Sequence, residues 1–534
     1  MIPAMSRSRS RRQSTWLALF AVALCAATVS CGVTALSTAA RADAFKDAGC
    51  TGEHDIPWDK QISACTSAVE SGKFAGKDLS ALITNRGIAY AYSGDFQRAV
   101  ADFSKSIALD PDNAKALISR GSLFEARNDL DSALADYDQA VRASPGDATA
   151  LADRARIYAG RHDYDKAIAD YSKAIAINPD YATALTGRGN AYSNTGDLDA
   201  ATADYTKAIA LDPKFFLPYF GRASVERTRR NFSAAIDDYT MAAAINPGFS
   251  YTFSDRGYVY WLTDELDKAL ADFTKAIELD PENLSAYANR GNVYFRKHDI
   301  ERAIADYSKA IALDPNGADD YGNRGLMYRI KGDLDLALAD LDKAVERDPK
   351  FALAYNNRGM AYQAKGDFDR AIADYDKAVE INPLNADAYL NRGLAKLFSG
   401  PVLKARVDVS RASELAPADA YKALWLDVID RRAGRQSRLA LAPINTLRWP
   451  GAMVRLFQGQ MAPDAVLAAA DDPDVELKNE QVCEANVFIG EFMLQQSKKD
   501  DAARYFRNAA KGCPKALIEW SVANAELKVL GVAP

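Results

Sequence analysis

Residues 352–385 read ALAYNNRGMAYQAKGDFDRAIADYDKAVEINPLN. Tyr355, Gly359 and Tyr362 fall at helical spacing in the first half, and Phe368, Ala371, Ile372, Tyr375 and Ala378 in the second. The spacing predicts two helices parted at Lys365-Gly366-Asp367. Gly366 suits the left-handed position after the first helix, and the Asp367 carboxylate suits the cap of the second. Pro383 stops the second helix before the next begins.

The same pattern returns every 34 residues. An arginine keeps the beat at 86, 120, 154, 188, 222, 256, 290, 324, 358 and 392, and a proline at 111, 145, 179, 213, 247, 281, 315, 349, 383 and 417. A fixed period of this length means a stack of like helix pairs, none of which buries its apolar face alone. In each pair a small residue lets the helices approach, and an aromatic fills the space that is left. Gly359, Tyr362, Ala371, Tyr375, Ala378 and Pro383, repeated as Gly291, Tyr294, Ala303, Tyr307, Ala310 and Pro315, give a pattern that resembles the tetratricopeptide repeat (TPR). The resemblance implies an all-α superhelical solenoid. Ten repeats span 80–419: 80–113, 114–147, 148–181, 182–215, 216–249, 250–283, 284–317, 318–351, 352–385 and 386–419. The glycine becomes alanine at Ala155 and Ala223, and the turn departs to Asn128-Asp129, Arg230-Asn231 and Asp264-Glu265. These read as mild losses.

The ends differ. Arg7, Arg9, Arg11 and Arg12 precede an apolar run from Trp16 to Leu36, and Ala40-Arg41-Ala42 fits a small-x-small cleavage site. Residues 1–42 are thus expected to be an export signal of the general secretion type, with a periplasmic or outer-membrane-associated product. Cys31 offers an alternative, lipid attachment and a membrane anchor, although Thr28-Val29-Ser30 matches a lipoprotein site poorly. Residues 43–79 read as an N-terminal cap whose helical stretch, Gln61 to Glu70, resembles the second helix of a degenerate repeat. Residues 420–482 break the beat and read as an irregular helical bridge. Gly490, Ala502, Phe506, Ala509 and Pro514 restore the repeat offsets, giving a separate TPR-like module over 483–534.

Four cysteines remain after the signal. Cys50 with Cys65, and Cys483 with Cys513, form two local pairs and are expected as disulfides in an oxidising compartment. Cys483 is predicted to open one helix and Cys513 to end the next, so that antiparallel packing joins them. Metal binding by these thiols lacks further ligands nearby.

The C-terminal stretches LRWPGAMVRLFQGQ, Glu484 to Gly490, Lys498 to Asp501 and Glu519 to Leu527 resemble the NlpI-type envelope TPR lipoproteins over about 110 residues. That resemblance implies a scaffold of the Gram-negative envelope, with cell-wall hydrolases or proteases as partners.

The chain carries 66 basic and 72 acidic side chains; without residues 1–42, which hold five arginines and no acid, 61 basic side chains face 72 acidic ones, a net charge of −11. This argues against nucleic-acid binding and suits the steering of basic partners. His162 and His298 stand at the turn position held elsewhere by glycine, and His54 stands alone. No phosphate loop, nucleophile elbow or histidine pair at ligand spacing is present, so neither enzyme, cofactor nor metal is expected. The aspartate of the recurring Ala-Asp-Tyr is expected to pair with the lysine three residues on.

The first helices of such a stack line its inner face. Asn289, Asn323, Asn357 and Asn391 precede four successive repeated arginines, and Asn85 holds the same place earlier. Their amides match the donors and acceptors of an extended peptide backbone, as in TPR proteins with an asparagine ladder; the competing role is bonding to neighbouring helices. The repeated arginines would repel one another unless acids of second helices, such as Asp306 or Asp374, neutralise them; otherwise they form a basic inner strip. Phe220, Tyr251, Tyr258 and Trp261, among further aromatics, suggest an apolar patch. The expected function is a non-catalytic adaptor for protein or peptide partners. The alternatives are a peptidoglycan-binding protein or envelope enzyme with an acidic cleft, and a homo-oligomer joined through terminal repeats.

Overall fold

The computed structural model describes residues 49–51 and 56–533; the expected export signal, Cys31 and His54 lie outside them. The described chain is helical throughout, with 27 α-helices, one short 3-10 turn at Leu439–Leu441 and no strand. The helices group into two compact units, one up to Glu265 and one from Leu266 onward. None among the described residues is long and apolar enough to cross a membrane.

The quoted repeat folds as Ala352–Ala364 and Phe368–Ile381. Gly366 is left-handed, with φ of 78°, and the Asp367 carboxylate accepts the Arg370 N–H. Where other residues stand at this turn they take the same conformation: Asn128, His162, Arg230, Asp264 and His298 all have φ between 60° and 64°. The two histidines are turn residues for this reason, at the modest cost of a left-handed non-glycine.

Gly359 explains how the two helices close. A Cβ there would lie 2.7 Å from Cε1 of Tyr375, so only glycine lets the ring lie flat on the first helix. Gly121 with Tyr137 and Gly291 with Tyr307 repeat the arrangement. Each such ring is fully buried and knits its helix pair together.

In the first unit, Trp58–Glu70 packs ahead of Gly76–Tyr92 and closes the stack. The Cys50–Cys65 disulfide pins the preceding segment, with Cα atoms 4.8 Å apart. In the second unit the stack runs one helix past residue 419: Ala420–Arg432 packs on Val402–Leu415 as a further first helix. Short helices Gly451–Phe457 and Pro463–Ala469 follow, then Val475–Gln495, Lys499–Gly512 and Ile518–Val529. Trp425, Phe457, Phe488 and Phe506 share one core with Leu390 and Leu394 of the tenth repeat. Cys483 and Cys513 are bonded, with Cα atoms 5.0 Å apart. Cys483 does not open its helix, as the sequence suggested. It stands in the third turn, because the Asp474 carboxylate caps the helix earlier, at Glu476 and Leu477.

Candidate binding groove

Within each unit the first helices of successive repeats touch one another, so they form the inner layer. The repeated arginines do not make a basic strip along it. Arg86, Arg120, Arg154, Arg188, Arg222, Arg290, Arg324, Arg358 and Arg392 each place Nε and Nη2 on both oxygens of the aspartate sixteen residues later, at 2.5–2.9 Å. In most of them Nη1 reaches a Ser, Thr or Asp sixteen residues earlier, as from Arg120 to Ser104, Arg290 to Thr274 and Arg358 to Asp342. One guanidinium thus ties its own first helix to two second helices. The aspartates of Ala-Asp-Tyr are 4–6% exposed. They serve these forks rather than the lysine three residues on; Lys173 stands 3.9 Å from Asp170.

All five expected ladder asparagines are buried, with exposures of 7% or less. Asn85 donates from Nδ2 to the carbonyl of Cys50 at 2.9 Å, so the amide holds a non-helical stretch of the chain's own backbone. Asn391 donates to Oδ1 of Asn356 at 3.1 Å, while Oδ1 of Asn357 is buried without a hydrogen-bond partner among the described residues. In repeats eight to ten the C-terminal module also packs on the inner layer. Ile518–Val529 lies against the first helices Ala352–Ala364 and Ala386–Ser399. Gln363 donates to Ser521 Oγ at 3.2 Å, and Arg329 donates to the Ala516 carbonyl at 2.7 Å. Burial without an acid beside it pulls the Arg329 guanidinium down to about 10.

The aromatic residues do not form one exposed patch. Phe220 is 2% exposed and packs edge-on against Tyr239 and Phe249. Tyr251 is half-buried beside Phe249, while Tyr258 and Trp261 stack on each other with Arg227 over the Tyr258 ring.

The open part of the groove is in the first unit. A cavity of about 280 Å³ spans the first helices Ala148–Gly160, Ala182–Thr195 and Phe216–Thr228. Asp153, Arg156, Gly187, Asn190, Gly221 and Ser224 are among its lining. Two features of the sequence create it. Gly187 and Gly221 stand where the ladder has asparagine, and without a side chain there the Tyr171 and Tyr205 rings lie against the helix backbone. Ala155 stands where Tyr171 would otherwise find a glycine, so the ring lies toward the next repeat; a Cβ on Gly187 would come within 2.4 Å of Tyr171 Cζ. Tyr205 is likewise held between Gly189 and Gly221, and its hydroxyl donates to Asn190 Oδ1 at 2.7 Å. The sequence carried this signal in the departures at 155, 187, 221 and 223. In sequence the alanines at 155 and 223 read as mild losses, because the position of the ring is visible only in three dimensions.

At the cavity wall Arg156 bridges two carboxylates, Glu125 through Nη1 and Asp153 through Nη2, the latter at 2.7 Å. Glu125 also accepts the Tyr137 hydroxyl at 3.1 Å. Burial, with the Asp147 charge nearby, pushes the Asp153 carboxyl up to about 7. The Tyr181 hydroxyl rises to about 12 for the same reason, chiefly burial and then Asp153. Among the described residues no group of three His, Cys, Asp or Glu side chains is placed to hold a metal ion.

Regular helix pairs, glycine-seated rings and a groove of first helices define a repeat solenoid of the protein-binding class. A tetratricopeptide repeat family model matches residues 84–148, a second matches 182–215, 285–316 and 352–385, and a TPR repeat model matches 155–196, 263–298 and 325–366. The chain belongs to the tetratricopeptide repeat proteins. No curated protein matches it in sequence. Among solved structures it is similar to YrrB, described as a TPR protein with an unusual peptide-binding site, at 26% identity over 34% of this chain and 95% of that one, with a TM-score of 0.31. It is also similar to MamA, at 30% identity over 31% and 96% with a TM-score of 0.29, and to a tetratricopeptide repeat protein from Parabacteroides merdae, at 22% identity over 46% and 98% with a TM-score of 0.39.

Proposed function

We propose that this protein is a non-catalytic scaffold of a bacterial cell envelope, which holds an extended segment of a partner protein in the groove of repeats three to five. The cavity spanning three successive first helices carries this reading, because it gives a segment laid along the groove a place to seat a side chain. The Asn85 contact supports it: a groove asparagine already holds a backbone carbonyl of non-helical chain. Export rests on the basic and apolar pattern of residues 1–42 and agrees with the two disulfides. Cell-wall hydrolases or proteases as partners rest on the C-terminal resemblance to NlpI-type proteins.

The test is to fill the groove. Ser224→Trp and Ser193→Trp, both at the cavity lining, are compared with the unaltered chain as baits in an envelope extract. Proteins held by the unaltered chain and lost by both variants, with helicity unchanged, support the groove. Equal capture by all three baits moves the site elsewhere, and the absence of any specific capture argues against the scaffold itself.

A further inference from the structure

Asp153 and Arg156 line the cavity, but Arg156 is not reserved for Asp153. Its guanidinium is shared with Glu125, which stands behind the wall, so one cation serves two carboxylates. Arg156 reaches Asp153 through one oxygen, Oδ1, at 2.7 Å rather than as a two-bond fork. Asp153 is 6% exposed, and water solvates it poorly. The described lining contains no lysine. Tyr171, Tyr181, Tyr205 and Phe220 supply aromatic walls around the same space. An under-neutralised carboxylate within aromatic walls suits a cation, which gains from both the charge and the ring faces.

We infer that the cavity recognises a basic side chain, lysine or arginine, on the partner segment held in the groove. This rests on the groove reading above and names the feature of the partner that is read there. The net negative charge of the chain draws such segments in. Without a ligand, a proton does part of the cation's work, since burial holds Asp153 near 7. The groups around Asp153 are Glu125 on the preceding first helix, Asp147 and Arg156 on its own element, and Tyr171 and Tyr181 beyond. His162 lines the same cavity, with Nδ1 at 2.9 Å from the Tyr164 hydroxyl. Protonation of Asp153 removes the charge that attracts an incoming cation, so binding weakens on acidification.

The experiment titrates the full chain by calorimetry with acetylated, amidated decapeptides of alanine and serine. A single central residue is varied among lysine, arginine, norleucine and glutamate. The lysine and arginine peptides are expected to bind at least about tenfold more tightly than norleucine, and more tightly at pH 8 than at pH 6. Asp153→Asn is expected to erase that preference. Arg156→Gln, which removes the competing cation, is expected to strengthen lysine binding; a purely structural role for the triad would weaken it. Equal binding of norleucine and lysine by the unaltered chain overturns the inference without any variant. So does a preference that survives Asp153→Asn, or no binding of any peptide at millimolar concentration. If these peptides show no preference while Ser224→Trp still abolishes partner capture, the groove reading stands and the basic-residue reading alone falls.

Discussion

Arg329 donates from Nη1 to the carbonyl of Ala516 at 2.7 Å, joining the end of the eighth repeat's first helix to a residue 187 positions later. Arg329 is 5% exposed, and its Nε has no hydrogen-bond partner among the described residues. With Gln363 and Ser521 this contact seats the last helix on the inner layer of the second unit. Replacing Arg329 by methionine removes both a buried charge and an anchor. We expect amide-exchange protection across 518–529 to fall while that of repeats three to five is unchanged. Uniform loss across the chain would contradict this.

The Cys483–Cys513 bridge closes a loop of 30 residues. Serine at both positions is expected to cost about 3–4 kcal/mol in the C-terminal module. Denaturation with and without reductant, followed by the fluorescence of Trp425 and Trp449, checks it. Identical transitions would show that the shared core with the tenth repeat suffices.

The forks make a sharper prediction. Asp306 accepts two bonds from Arg290 at 2.8 Å and is 5% exposed. Asp306→Ala leaves a half-buried guanidinium without its acid and should cost about 2–3 kcal/mol. The pair Arg290→Met with Asp306→Leu should cost less than the single change, because no charge is stranded. Equilibrium denaturation of the three variants decides, and additive losses would show that the fork is not a coupled unit.

Glycine 187 can be tested against Ala155. Gly187→Ala brings a methyl into the Tyr171 ring and is expected to cost about 1–3 kcal/mol. Adding Ala155→Gly gives Tyr171 the seat that Tyr137 and Tyr375 have, and should recover part of the loss. Thermal unfolding reads the rescue; two independent losses would overturn this account of the cavity.

Stability should also fall with rising pH. Burial, reinforced by the nearby Glu484 and Glu491 charges respectively, pushes Glu519 and Glu526 up to about 8. Their folded values lie above their unfolded ones, about 4.3, so the folded state keeps protons that the unfolded state releases. Their contribution is full below the unfolded value and is lost as pH rises to about 8. The melting temperature should therefore drop by several degrees from pH 6 to pH 9, and Glu519→Gln should flatten that slope. A slope unchanged by the substitution would show that Glu519 is not its source.

The repeat, its turns and its glycine–tyrosine seats were legible in the sequence because each depends on residues within one period. So were both cysteine pairs, since helix hairpins bring near neighbours together. The fork was half legible: its need for acids could be argued, but Asp306 was also credited to a lysine three residues away, and only geometry separates the two. The packing of Ile518–Val529 on the first helices of repeats nine and ten could not be read, because it joins segments more than a hundred residues apart. The cavity at Gly187 was written in the chain as an exception, and its meaning came from where Tyr171 turns.

The forks of Arg290 and Arg324 look both ways, to their own repeat and to the repeat before it, and most of the repeats present the same two half-contacts at their borders. Excising one 34-residue segment, or duplicating it, would therefore leave every remaining arginine with a legitimate neighbour. The number of modules is free to drift without any joint having to be reinvented, so a lineage can lengthen or shorten this molecule to suit a new companion in a single genetic step.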